Sequence, residues 1–464
     1  MNLLTKAAIT LIALVFLGIG GFVLAYDWLF EVLPPSITLR LPNLDPPVTE
    51  SLPAPAIAPA VANLSEPIVI PGLADPTKLP TPIPPTATAT LAPTATTSHT
   101  ETVVEPTETS IPPTATAIPP TPTPTPIPLP SAYLIDGIVN VPQSFNNCGP
   151  ANLSIVLSYF NDDTTQATAA DYLKPNPNDR NVSPWQINDY VNGQTGLRST
   201  AHSGGTLEII KALVAQGLPV VIERGADFNN GEGWYGHYLT VYGYDDSAET
   251  LIAMDTYGEG GWSAEGRVLS YAEIEETWKH FNYTFYVVYP EAQEAKVLEI
   301  LGPTLTDKEA MWMNTIERAQ AEIAEDNADK WAWFNLGTSY TSLGVLMQEL
   351  GEPDQAQLYY EQGAAAYDQA RSLDLPWRML WYQQRPYMAY FRVGRYQDVL
   401  DLANATLETR GGQNVEETFY WKGNALSSMG DARGAGEAYR AALKVNSNFY
   451  YAQLALDYLT RDGG

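Results

Sequence analysis

A single cysteine, Cys148, in 464 residues leaves no internal disulfide framework, so the folded parts must be held by ordinary apolar cores. Cationic side chains are also scarce, with 25 Lys and Arg against 53 Asp and Glu and a formal charge of -28. That balance argues against a nucleic-acid partner and against docking of the soluble part on anionic lipid, because both surfaces would repel it. With four histidines and one cysteine there is little from which to build a metal site. Neither an HExxH pair nor a Gly-rich phosphate loop occurs, and neither a metal nor a cofactor is expected. Nothing in the chain sets an oligomeric state.

The N-terminal residues do contain a long apolar run. Ala7 to Tyr26 carries no charge, follows Lys6 and precedes Asp27 and Glu31, which suits a transmembrane anchor over 7–26 with a short cytoplasmic segment over 1–6. A secretory signal peptide cleaved after Val23-Leu24-Ala25 is the alternative, but the run exceeds the usual ~7 to 15 residues of such a core. Both readings place everything beyond Asp27 outside the cytoplasm, either on a single-pass membrane protein or on a secreted one. Residues 27–130 read as a disordered Pro/Thr-rich linker, with nine prolines from Pro112 to Pro130 and the run TPTPTPIP near its end. Proline removes amide donors and fixes φ, so an extended spacer is expected, its stretch from Asn43 to Pro130 reaching at most on the order of 250 Å.

From 131 to 290 the texture becomes that of a globular α+β domain. Cys148 lies in NNCGPANLSIVLSYF, where a polar turn becomes an apolar helical run. Unpaired amides at a helix start favour a thiolate, so Cys148 is a candidate nucleophile; a packed thiol is the plain alternative. A second helix is expected from Thr206 to Gln216, and another from Tyr271. GLPVVIE, HYLTVYGY, TLIAM and YTFYVVY read as strands. Among the histidines, His99 falls in the linker, His202 in a polar loop and His280 in the helix after Tyr271. His237 opens a strand after a Gly-rich aromatic loop, where an imidazole could be held at a cleft edge as base and acid, or could be a surface histidine. Asp255 ends the next strand and could accept from His237 Nδ1, leaving Nε2 toward sulfur. Gln143 could join the Cys148 backbone N–H in meeting an oxyanion.

These pieces resemble the C39-like branch of the papain-like cysteine peptidases: VPQSFNNCGPANLSIVL, GLPVVI, GHYLTVYGYD and the aspartate of IAMDTY. The resemblance implies a papain-like fold with Cys148 as nucleophile, His237 as base and acid, Asp255 as its orienter and Gln143 as the oxyanion side chain. The substrate would be a peptide or protein. Thr256 departs from the family, whose members often carry proline there, which puts the geometry of the Asp255 loop in question. A non-catalytic peptide-binding or scaffold protein that keeps this fold is the competing reading.

After a linker over 291–305, residues 306–464 read as an all-α domain. WAWFNLGTSY has the spacing W-x₂-L-G-x₂-Y and resembles the first helix of a tetratricopeptide repeat. Ala356, Tyr360 and Ala364 fit its second helix, Arg385 to Leu407 a middle pair, and Phe419, Gly423, Ala435, Tyr439 and Ala442 a later copy. Thr306 and Glu309 have capping-box spacing for a helix toward Asn327, and Asn448 to Thr460 would close the array. Such a stack binds a protein partner or the substrate, or serves as a spacer or buttress for the preceding domain. The whole layout predicts that limited proteolysis releases a soluble fragment beginning near Ser131. A protease-resistant segment between Asn43 and Pro130, with no such fragment, would contradict it.

Overall fold

A computed structural model describes residues 129–227, 233–257 and 262–461, which fall in one compact unit. The expected anchor over 7–26, and all but the end of the expected linker over 27–130, lie outside the described residues. Among those described, no helix is long and apolar enough to cross a membrane.

The first half is built on a seven-stranded antiparallel sheet. Its strands are β1 (Ala132–Leu134), β2 (Arg198–His202), β3 (Val220–Asp227), β4 (Trp234–Asp245), β5 (Thr250–Asp255), β6 (Arg267–Ser270) and β7 (Phe285–Tyr289), in the order β2-β7-β3-β4-β5-β6. β4 is central because it is long enough to pair with β3 along its first eight residues and with β1 at its end, while β5 runs along its other side. Its near-continuous burial marks a strand covered on both faces.

The helices of this half are α1 (Cys148–Tyr159), α2 (Gln166–Leu173), α3 (Pro184–Gln194), α4 (Leu207–Val214) and α5 (Tyr271–Trp278). α1 is buried along most of its length, from Gly149 to Leu157, and stops where Asn161 turns left-handed at φ 59°. Leu153, Val156 and Leu157 of α1 form one core with Ile187 and Val191 of α3 and with Tyr238, Tyr286 and Val288 of the sheet. That core fixes the helix carrying Cys148 against the strand carrying His237. α3 begins with a capping box between Ser183 and Gln186 and has Pro184 in its first turn.

Several expectations need correction. His202 is not in a loop but ends β2, paired with Phe285, because Arg198 to His202 completes the sheet edge beside β7. The expected linker over 291–305 is helical: α6 (Glu294–Thr306) buries Val297, Leu301 and Leu305, and it bends where Gly302 takes φ 65° before Pro303. The next helix, α7 (Lys308–Glu325), is capped by Asp307 instead of Thr306, its carboxylate accepting from the Ala310 amide at 2.8 Å. Thr306 turns its hydroxyl back to the Gly302 carbonyl.

The helical half continues with α8 (Lys330–Glu349), α9 (Pro353–Ser372), α10 (Met379–Tyr382), α11 (Arg385–Arg392), α12 (Tyr396–Glu408), α13 (Glu416–Ser428), α14 (Ala432–Val445) and α15 (Tyr450–Arg461). α8 and α9 make a long hairpin whose close approach depends on Gly337: a Cβ there would lie 2.8 Å from the Tyr367 ring. This half packs directly on the first. Trp331 stacks on His280 at 3.8 Å between ring centroids, Lys279 pairs with Asp329 at 2.8 Å, and Asn282 donates to Ser339 at 3.1 Å.

Arg371, at the end of α9, is joined to Asp398 of α12 by an ion pair of 2.9 Å whose side chains are 1% and 3% exposed. Arg395 bridges Asp398 to Asp368, which also accepts from Tyr390. Removing one member of a buried pair leaves the other without its counter-charge. Asp398→Ala is therefore expected to destabilise the folded chain by about 3–5 kcal/mol in urea unfolding, whereas an unchanged midpoint would show that the pair contributes nothing.

Candidate active site

The site is assembled from the start of α1, the start of β4 and the end of β5. In the β4–β5 register Asp255 lies opposite Leu239, so His237, two residues back along β4, shares its face and lies diagonally within reach. His237 Nε2 and Asp255 Oδ1 are 2.9 Å apart, with the side chains 3% and 2% exposed. The same ring lies near Cys148, the first residue of α1, whose thiol is among the groups that raise the imidazole's pKa. With Nε2 on the carboxylate, Nδ1 is the nitrogen left for sulfur. This reverses the expected assignment, in which Nδ1 met Asp255; the strand geometry delivers the far nitrogen to the carboxylate instead.

Asp255 is satisfied on both oxygens. Oδ1 also accepts the Tyr257 amide at 3.0 Å, and Oδ2 accepts Arg267 Nη1 at 3.1 Å from β6. The carboxylate in turn sets the ionisation of His237. Burial alone would push the imidazole down, but the charge and hydrogen bond of Asp255, with the Cys148 contact, outweigh it and raise His237 to about 9. The other described histidines are held neutral: burial lowers His202 to about 4, and burial with the charges of Lys279, Arg224 and Lys330 lowers His280 to about 3.

Gln143 and Thr256 answer the question raised by the missing proline. The Gln143 amide donates to the Thr256 carbonyl at 2.9 Å, and the Thr256 hydroxyl donates to Gln143 Oε1 at 2.8 Å. Thr256 is 1% exposed, and it holds the Gln143 side chain by its oxygen, so the nitrogen of that amide is the end turned elsewhere. The Cys148 amide belongs to the first turn of α1, where helical N–H groups have no carbonyl partner within the helix.

Asn152 ties these parts together, and the sequence reading passed over it. Fully buried one turn after Cys148, it donates to the Cys148 carbonyl at 2.9 Å and to the Tyr238 carbonyl at 3.0 Å, and it accepts from Thr240 at 2.7 Å. Its signal was a polar side chain inside an otherwise apolar helix. Arg267 carried no comparable signal, since its link to Asp255 depends on β6 lying beside β5. Glu223, cross-strand from Tyr238, is buried near Cys148, and burial raises its carboxyl well above the usual range.

The raised His237 pKa carries a sign. A pKa above the ordinary 6.5 means that the fold favours the imidazolium, so the pair contributes its full stability below about pH 6.5 and loses it as pH rises through about 9. Asp255→Asn removes the charge that outweighs burial, and the His237 ring resonances in an NMR titration should then move at least about one unit lower. A midpoint that stays near the wild-type value would refute this electrostatic assignment.

Residues 135–286 match the model of the Peptidase_C39 like family, and residues 416–449 match a tetratricopeptide repeat model. The second match covers α13 and α14, the later copy in the sequence reading. A crystal structure of a C39-like peptidase from Bacillus anthracis is similar at 15% identity, covering 34% of this chain and 96% of that one, with a TM-score of 0.28. No curated protein matches. The chain thus carries a C39-like peptidase family domain followed by a helical region with a tetratricopeptide repeat.

Proposed function

We propose that the protein is a cysteine peptidase that uses Cys148, His237 and Asp255, with Gln143 at the oxyanion. The observation that carries this reading is the buried Asp255–His237 pair whose imidazole also meets Cys148 at a helix start. In the reaction, Cys148 sulfur attacks the peptide carbonyl while the Cys148 amide and the Gln143 side-chain N–H groups receive the negative oxygen. The imidazolium passes its Nδ1 proton to the departing amine, the C–N bond breaks, and a thioester remains on Cys148. Neutral His237 then takes a proton from water, whose oxygen attacks the thioester. Collapse releases the carboxylic acid and restores the thiolate and imidazolium. Asp255 holds the ring and offsets its charge through every step.

The same reading places the catalytic half outside the cytoplasm. The uncharged run Ala7 to Tyr26 supports a membrane anchor, and the Pro/Thr-rich residues after it support a spacer that holds the enzyme away from the bilayer. The repeats, as helical hairpins of a kind that commonly bind peptides, would engage the substrate or a protein partner.

A peptide library incubated with the full-length protein beside its Cys148→Ala variant tests the assignment. The wild type should cleave and the variant should lose at least about 10³-fold in rate. Equal turnover by both, or no cleavage of any member by the wild type, would overturn it in favour of a peptide-binding protein.

A further inference from the structure

Two consecutive side chains of the helical half touch both sides of the candidate site. They lie on α10, a four-residue helix between the long α8–α9 hairpin and α11, outside the hairpin pattern of the array. Trp381 reaches the side that bears the nucleophile. Arg180 is sandwiched there, its guanidinium carbon 5.3 Å from the ring centroid of Trp381 and 5.3 Å from that of Phe145. Arg180 Nη1 donates to Asn146 Oδ1 at 3.1 Å, and Asn146 sits in a left-handed conformation, φ 57°, two residues before Cys148. Asparagine tolerates that conformation better than most side chains, and the Arg180 bond holds it there.

Tyr382 reaches the side that bears the base. The Gly236 amide, immediately before His237, lies near its hydroxyl. Its ring packs edge-on against Trp234 and Phe281, each at 5.8 Å. The fit leaves no room at Gly236, where a Cβ would lie 2.7 Å from Phe281 and 3.0 Å from two Tyr382 ring carbons. The Tyr382 carbonyl closes the circuit by accepting from Asn181, the neighbour of Arg180, at 3.4 Å.

Building on the peptidase reading above, we propose that Trp381 and Tyr382 are positioning residues, through which the repeat domain sets the relative placement of Cys148 and His237. Simple docking of the two halves does not require α10. It is already supplied by the Trp331–His280 stack, the Lys279–Asp329 pair, the Asn282–Ser339 bond and the bond from Arg318 to the Gly205 carbonyl. What α10 adds is a hold on the turn before Cys148 and on the backbone before His237. Proton transfer between sulfur and imidazole is sensitive to displacements well under the size of an atom, and a shift of about 1 Å is enough to lower a rate by about 10²-fold. The repeat domain is then part of the catalytic unit, and whatever it binds can act on the chemistry through α10.

Full-length Tyr382→Phe, Trp381→Ala and Trp381→Phe proteins test this, each assayed for peptide turnover, for the pH dependence of Cys148 alkylation by iodoacetamide, and for thermal midpoint. Tyr382→Phe removes one oxygen and keeps the ring. It should fold with a near-wild-type midpoint, lower kcat about tenfold with KM little changed, and slow alkylation at neutral pH by a similar factor. Trp381→Ala should show the same kcat loss, and Trp381→Phe, which restores an aromatic face to Arg180, should recover most of it. Wild-type kcat and alkylation profiles in both Tyr382→Phe and Trp381→Ala would overturn the proposal and leave the two side chains as packing. If Trp381→Ala fails to fold, Tyr382→Phe decides alone. Failure of the underlying peptidase reading looks different: wild-type Cys148 would alkylate no faster than it does with His237→Ala.

Discussion

Asp255 is a carboxylate with almost no access to water, and its compensation organises the site. Taking such a charge out of solvent is unfavourable by several kcal/mol unless hydrogen bonds and opposite charge replace the lost hydration. Here His237 and the Tyr257 amide satisfy one oxygen and Arg267 the other. Because the carboxylate stays satisfied in place, the imidazole beside it is both oriented and held protonated through neutral pH. A buried histidine without that partner would be neutral, as His280 is beneath Trp331. The same residue type therefore takes opposite states in one fold, according to whether a carboxylate or cations face it.

Placement of the sulfur relies on a second buried polar group. Asn152 links the first turn of α1 to the backbone of β4 and contacts Thr256 at 3.4 Å, so the elements that carry Cys148, His237 and Asp255 are joined through one amide. Thr256 extends the connection to Gln143. An apolar core fixes how α1 lies on the sheet, while these directional bonds fix its register. The helical half then covers the assembly, with an aromatic cluster of Trp234, Phe281, Trp331 and Tyr382 between the two halves.

Local sequence made much of this legible, and the misses share a cause. The turn before Cys148, the strand after Gly236 and the aspartate at the end of β5 each carry their signal within a few residues, so the candidate residues could be proposed from the chain. The long strands β3, β4, β5 and β7 were visible as apolar runs between turn residues. β2 was not, because Arg198 to His202 is polar and becomes a strand only by pairing with β7. The helix α6 fell within the expected linker over 291–305, and it is held by tertiary burial of Val297, Leu301 and Leu305, which no local pattern announces. Thr256 looked like a defect beside the family's proline, yet it serves as the bond to Gln143. The ring nitrogen on Asp255 was misassigned because it depends on strand register, and Arg180, Trp381 and Tyr382 act across about 200 residues of chain, beyond the reach of any local pattern.

The central claim is that His237, held protonated by Asp255, makes Cys148 the nucleophile. An electrophilic peptide probe incubated with the folded full-length protein at neutral pH, followed by mass spectrometry, tests this most directly. The account predicts one adduct, on Cys148, that forms rapidly in the wild type and largely disappears when His237 is replaced by alanine. No adduct on Cys148, or the same adduct at the same rate without His237, would contradict it.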